Sequence, residues 1–250
     1  NRTVFLAAPL VGLAALVVLQ LFIPIHGWAA FSGMADVVVV LYLLLIPAMS
    51  VMLGGAATAS PYAGVGLSRE MVTVISCELP LVLVLLAVGK AVGGDSVTFS
   101  FSAIAEYQLE NGSLITRAGL IPAALAMLLV IPGETGSHPF DTAEAETEIC
   151  EGLLAEYSGG PLAVYKLSHA VKLLTMSSLF VALFLGGVGT GIIALDAVIL
   201  FALCTVIVAI FVSLVHAVTA RLKIEQVFKY YWTVVTALAA ISLVLVWYGL

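Results

Sequence analysis

The chain has 250 residues, 62% of them hydrophobic and 10% charged, with nine Lys and Arg against fifteen Asp and Glu for a formal net charge of −6. Soluble domains run near 45–50% apolar and about 25% charged, so a water-soluble globule is excluded and a polytopic membrane protein is indicated. The acidic balance argues against a nucleic-acid surface, and Cys77, Cys150 and Cys204 stand too far apart for an iron–sulfur ligand set or a disulfide framework.

A membrane-crossing helix needs about 17–25 mostly apolar residues. In chain order, seven stretches qualify: 5–23, 37–53, 72–92, 114–131, 162–185, 192–218 and 232–247. The first is too long for a signal-peptide core and is followed by further spans. The predicted fold is all-α, a polytopic transmembrane helix bundle forming a single integral membrane domain over residues 1–250. Because the first residue is Asn1 and not Met, the chain is expected to be processed or incomplete at its start. Alternating from Asn1, one side receives Arg2, Arg69, Arg221, Lys223 and Lys229, with Lys166 and Lys172 near its edge, and the other receives Lys90 and Arg117. By the positive-inside rule the first side is cytoplasmic, so the links at 54–70, 133–160 and 219–229 are expected in the cytoplasm and the protein in the cell membrane.

The 133–160 link is the most informative segment. It holds Glu134, Asp141, Glu144, Glu146, Glu148, Glu151 and Glu156, seven of the fifteen acids, and no Lys or Arg. Asp141, two residues after Pro139, is a predicted N-cap for a helix running to Tyr157. Such a helix would place Glu144, Glu148 and Glu151 on one face, with Glu146 displaced. Crowded carboxylates disfavour one another's ionised forms, so this set is suited to proton exchange near neutrality; a plain solvated acidic loop is the alternative.

Charges inside predicted spans come next. Glu78 lies within the third, two residues before Pro80. Burying a carboxylate there costs on the order of 2.5–3.5 kcal/mol and points to a water-filled path or a partner; a structural hydrogen bond to a neighbouring helix is the plainer alternative. Lys166, His169 and Lys172 are spaced by three and share a broad face of the fifth span. Lysines near a helix end can snorkel, but Lys172 is deeper. Asp196 and His216 read as interfacial, and His26, His138, His169 and His216 show no metal-ligand spacing. The 219–229 link alternates charged and apolar residues, as a membrane-surface anchor or a docking strip would.

These residues carry a resemblance. Pro139-Phe140-Asp141-x-x-Glu144-Ala-Glu146-x-Glu148, followed by Glu156-Tyr157-Ser158-Gly159, resembles the central loop of the NuoH-type membrane subunit of NADH-quinone oxidoreductase (respiratory complex I). That family includes the matching membrane subunits of energy-converting, ferredoxin-dependent nickel–iron hydrogenases. Tyr62-Ala-x-x-Gly66-x-x-Arg69 with Glu78, and Arg221-x-Lys223-x-Glu225-Gln226, resemble two further family blocks. The family core has eight helices, so seven here imply that the first is missing from this chain. Quinone-dependent members usually carry an arginine just before Pro-Phe-Asp, where this chain has Gly136, Ser137 and His138, and a carboxylate in the fifth span, where it has His169. Both departures favour the hydrogenase branch.

The resemblance implies a subunit without a cofactor of its own. Its partners would be hydrogenase large and small subunits with the nickel–iron centre, a ferredoxin-like iron–sulfur subunit with 4Fe–4S clusters, antiporter-like membrane subunits and lipid. Glu78, Glu134, Asp141, Glu144, Glu146, Glu148, Glu151, Glu156 and Lys172 would belong to the proton or ion path, and Arg69, Arg221, Lys223 and Glu225 would dock the peripheral arm. The alternative within the family is the quinone-chamber subunit of a complex I-type oxidoreductase. A stand-alone transporter would show repeated halves, and an intramembrane hydrolase a nucleophile–base set or HExxH; the sequence has neither.

Overall fold

The computed structural model describes residues 1–24, 36–94, 96–187 and 192–249, except for the side chains of Glu146, Thr147 and Ile193. His26 and residues 188–191 of the glycine-rich stretch between the fifth and sixth predicted spans fall outside the described residues. The architecture is an all-α bundle. In chain order it comprises α1 (Arg2–Phe22), α2 (Val37–Thr58), α3 (Pro61–Gly93), α4 (Phe101–Asn111), α5 (Ile121–Glu134), α6 (Glu146–Ile149), α7 (Gly159–Phe184), α8 (Ala194–Val218) and α9 (Ile224–Trp247). Of these, α1, α2, α3, α7, α8 and α9 are six helices long and apolar enough to cross a membrane.

The fourth predicted span differs. Residues 114–120 form two 3₁₀ turns, and α5 has only 14 residues. At 1.5 Å per residue that is about 21 Å, against a hydrocarbon core of about 30 Å. Pro122 at the helix start and Pro132 near its end bracket it. Such a short helix is viable because most of it packs against protein: Ala123, Ala126, Met127, Val130 and Ile131 are fully buried.

The long α3 is the opposite case. Its 33 residues reach about 50 Å, so the turns ahead of the apolar stretch at 72–92 extend beyond the hydrocarbon on the loop side. Its middle packs against α5 and α9 through Cys77, Val84, Ala87 and Val88, all fully buried. Helix association in lipid rests on close packing and interhelical hydrogen bonds, and both are visible. Gly133 lets the Tyr231 ring and the Cys77 Sγ approach so closely that an added Cβ would sit 2.7 Å from the sulfur. Tyr231, fully buried in a π-helical turn of α9, donates its O–H to the Leu129 carbonyl at 3.0 Å. The α1–α2 hairpin leans on α7, where Gln20 meets Ser178 at 3.3 Å.

Three links gather at one end of the bundle, as alternation from Asn1 requires. The Asn1 ammonium donates to the Ala57 carbonyl (3.0 Å), Arg69 to the Thr142 carbonyl (3.2 Å), and the Leu222 N–H to the Pro139 carbonyl (3.2 Å).

Candidate functional site

A cavity of about 320 Å³ opens at this end, between α1, α2, α3, α7 and the 135–158 link. One wall is apolar, from Leu16, Pro47, Val51 and Leu162. The other surfaces carry Glu70, Glu134, Asp141, Glu144 and Glu151, together with Lys166, His169 and Lys172 from the face of α7 that their spacing predicted.

Lys172 and Glu134 form the floor. Glu134 is the last residue of α5, where helix carbonyls lack intrahelical partners and the helix dipole favours a cation. The Lys172 ammonium answers both demands: it donates to the Glu134 backbone carbonyl and lies 3.2 Å from its carboxylate. Their side chains are 9% and 4% exposed. Thr135 closes the same helix end by donating its hydroxyl to the Ile131 carbonyl at 2.9 Å.

Glu70 also lines the cavity, within electrostatic reach of Lys172 and Glu134. Sequence reasoning treated it as the end of a link and missed it. The available signal was its position eight residues, two helical turns, before Glu78. Glu78 itself is half-buried and does not line the cavity, but Glu134 and Lys172 act on it electrostatically. It is the deeper member of the set.

The acidic link folds differently from the predicted continuous helix over 141–157. It is broken into a 3₁₀ turn at Thr142–Glu144, the single turn of α6, and a 3₁₀ turn at Gly152–Leu154. Cys150, Glu151 and Gly152 all adopt left-handed backbone, with φ of 50°, 65° and 49°. The physical reason is burial: Ala143, Ala145, Ile149, Leu153 and Tyr157 are all buried, and one regular helix cannot turn them all inward. Gly66 on α3 admits this seating, since an added Cβ would meet the Leu153 nitrogen at 3.0 Å and the Ala143 carbonyl at 3.1 Å. Glu144 and Glu151 consequently reach the cavity while Glu148 turns away to Arg69 at 2.5 Å. The expected common face does not form. Glu156 is exposed and does not line the cavity, and the Glu146 side chain lies outside the described residues.

Asp141 does stand at the N-cap position, but of the short Thr142–Glu144 turn, and its side chain makes no cap hydrogen bond. Arg221 grips it with both ends of its guanidinium fork, Nε lying 2.9 Å from Oδ1 and Nη2 on Oδ2. Phe140 stacks on Tyr230 at 5.8 Å and tilts against Tyr231 at 5.1 Å between centroids, the three rings forming a cluster. Two tyrosines brace the apolar side, of which the sequence reading missed Tyr165: Tyr165 donates to the Ser50 carbonyl (3.2 Å) and Tyr157 to the Phe5 carbonyl (3.1 Å), with Phe5 stacked on Tyr157 at 4.1 Å.

Glu144 stands at the cavity rim. Its side chain remains solvent-accessible, yet so much protein surrounds it that desolvation, reinforced by Glu70, Asp141 and Glu151 and opposed by Lys166, pushes its carboxyl up to about 7. A carboxyl of that kind takes up and releases protons at neutral pH.

Comparison with known proteins places this arrangement. The model of the NADH dehydrogenase family matches residues 1–247. The chain belongs to the NADH dehydrogenase family. Hydrogenase-4 component C of Escherichia coli is 37% identical over 182 residues, which span 72% of this chain and 56% of that protein. NADH-quinone oxidoreductase subunit 8 of Thermus thermophilus is 29% identical over 240 residues, 93% of this chain and 64% of that one. In the structure of the membrane-bound sulfane sulfur reductase, an archaeal respiratory membrane complex, a chain with 28% identity superposes with a TM-score of 0.88 over 97% of this chain and 79% of its own. The resemblance to the NuoH-type membrane subunit is thus borne out, and the chain spans little more than half of the Escherichia coli relative.

In this NADH dehydrogenase family chain, the four charged residues expected to dock the peripheral arm divide into two pairs. Arg69 and Arg221 turn inward to hold Glu148 and Asp141 of the acidic link. Lys223 and Glu225 are exposed at the start of α9, where Gln226 accepts the Lys223 N–H at 3.0 Å.

Proposed function

We propose that the chain is the membrane anchor and coupling subunit of an energy-converting, ferredoxin-dependent nickel–iron hydrogenase complex. It docks the hydrophilic redox arm at its loop end, on the cytoplasmic side, and links electron transfer to H⁺ or Na⁺ movement. The observation that carries this reading is the gathering of four carboxylates, Glu70, Asp141, Glu144 and Glu151, around the buried Lys172–Glu134 pair in one cavity. Glu144 at the rim exchanges protons with the aqueous side near pH 7. Glu70 passes them inward, and Lys172 holds Glu134 so that a change of charge on either neighbour is felt by both. Groups so closely coupled gain and lose protons as a set. Glu78 carries the set toward the membrane interior and antiporter-like partner subunits. The chain supplies no electron carrier; the nickel–iron centre and 4Fe–4S clusters belong to the hydrogenase and iron–sulfur partner subunits. Likeness to Hydrogenase-4 component C supports the hydrogenase branch.

A second reading, the quinone-chamber subunit of a complex I-type oxidoreductase, draws on the apolar wall of Leu16, Pro47 and Val51. With about 320 Å³, the cavity sits at the small end of the range for organic ligands. Purifying the tagged complex from its native membrane and identifying its subunits by mass spectrometry separates the two. Nickel–iron large and small subunits support the first reading, and a flavin-bearing NADH module supports the second. A chain purified intact without any redox partner contradicts both.

A further inference from the structure

Two histidines outside the cavity meet each other. His138 stands in the acidic link just before Pro139, and His216 in the last turn of α8. Their ring centroids are 4.7 Å apart with planes at 82°. The Nδ1 of His138 is buried and has no hydrogen-bond partner, whereas His216 is exposed. A buried polar atom left unpaired is destabilising, and most buried polar atoms find a partner. A neutral imidazole always keeps one nitrogen lone pair bare, which is the form in which histidine ligates metals. The negative end of the helix dipole at the α8 C-terminus favours a cation at His216. The Leu222–Pro139 and Arg221–Asp141 bonds fix the two elements beside each other.

We propose that His138 and His216 form a two-imidazole site for a borderline transition-metal ion such as Zn²⁺ at the loop end of the bundle. With zinc–nitrogen bonds of about 2.0–2.1 Å and tetrahedral angles, two imidazoles on one ion place their ring centres roughly 5 Å apart, close to the separation of these two rings. Among the described residues no three His, Cys, Asp or Glu side chains gather as a ligand set, so water completes the coordination. Binding is therefore reversible, unlike that of a four-ligand structural zinc. Imidazole ligands select Cu²⁺, Zn²⁺ and Ni²⁺ over Mg²⁺ and Ca²⁺. An ion held there ties the link bearing Glu144 and Glu151 to α8, whichever redox complex the chain serves.

The test is calorimetric titration of the full chain, purified in detergent, with ZnCl₂ and separately with MgCl₂. One Zn²⁺ per chain is expected, with affinity falling at least tenfold in His216→Ala and in His138→Gln and unchanged in His169→Ala. Because His216 is exposed, its replacement leaves the packed interior intact. The proposal is overturned if the parent binds no Zn²⁺, if His216→Ala binds it as tightly as the parent, if His169→Ala loses it, or if Mg²⁺ binds equally well, which would mark mere attraction to the acidic link.

Discussion

Replacing Lys172 with Met removes a buried cation while keeping most of the apolar stem. The Glu134 carboxylate is then left 4% exposed without its partner, and the carbonyl at the end of α5 loses its donor. Breaking a buried ion pair from one side costs about 3–5 kcal/mol. An unpaired carboxyl can escape by taking up a proton, and holding an ordinary carboxyl protonated at pH 7 costs about 4 kcal/mol, which caps the penalty. At pH 5 the cap falls to about 1 kcal/mol. Lys172→Met is therefore expected to lower the melting temperature at pH 7 by roughly 6–16 °C, using the soluble-chain scaling of about 2–4 °C per kcal/mol. Most of that loss should vanish at pH 5. The double variant Lys172→Met/Glu134→Gln should recover much of the stability at pH 7, since it removes the charge left behind. Tryptophan fluorescence or scanning calorimetry of the detergent-solubilised complex reads all of these. If Lys172→Met melts with the parent at both pH values, the buried-pair assignment is wrong.

Three further outcomes follow from the site. Glu144 binds a proton in the folded chain up to about pH 7, so its contribution to stability is lost as pH rises between the ordinary carboxyl range and 7; Glu144→Gln should gain in melting temperature relative to the parent across that window, and its ion-coupling profile should lose an inflection near pH 7. Arg221→Ala should loosen the acidic link more than Arg69→Ala does, because Arg221 makes a two-pronged bond to Asp141, with side chains 27% and 18% exposed, whereas Glu148 is 52% exposed. Hydrogen exchange over residues 140–157 measures the difference, expected at about 1.5–3 kcal/mol against 0–1. Glu78→Gln should assemble and keep dye-linked hydrogenase activity in detergent while building a smaller ion gradient in sealed vesicles; a gradient equal to the parent's would make Glu78 structural.

The membrane helices were legible because composition and apolar run length suffice to identify them, and the shared face of Lys166, His169 and Lys172 followed from spacing alone. Ends and breaks were harder. The start of α3 lies at Pro61, eleven residues before its apolar run begins, and in that polar extension sits Glu70. The acidic link read as a helix because Glu and Ala are good helix formers. Its broken path is set by what Ala143, Ile149 and Leu153 bury against, and of the three consecutive left-handed residues at 150–152, Cys150 and Glu151 are not glycines, so no local signal marked them. Arg69 and Arg221 were visible as charges on the loop side, but their acidic partners lie 79 and 80 residues away in the chain, beyond any local pattern.

The most direct measurement concerns Glu70, which lines the cavity and belongs to the proposed path. The complex carrying Glu70→Gln, reconstituted in sealed vesicles and supplied with reduced ferredoxin, is compared with the parent for ion gradient formed per electron pair, with dye-linked turnover in detergent as the reference. Retained dye-linked turnover with a gradient severalfold smaller is the predicted result. An unchanged gradient at equal turnover would contradict a coupling role for the cavity carboxylates.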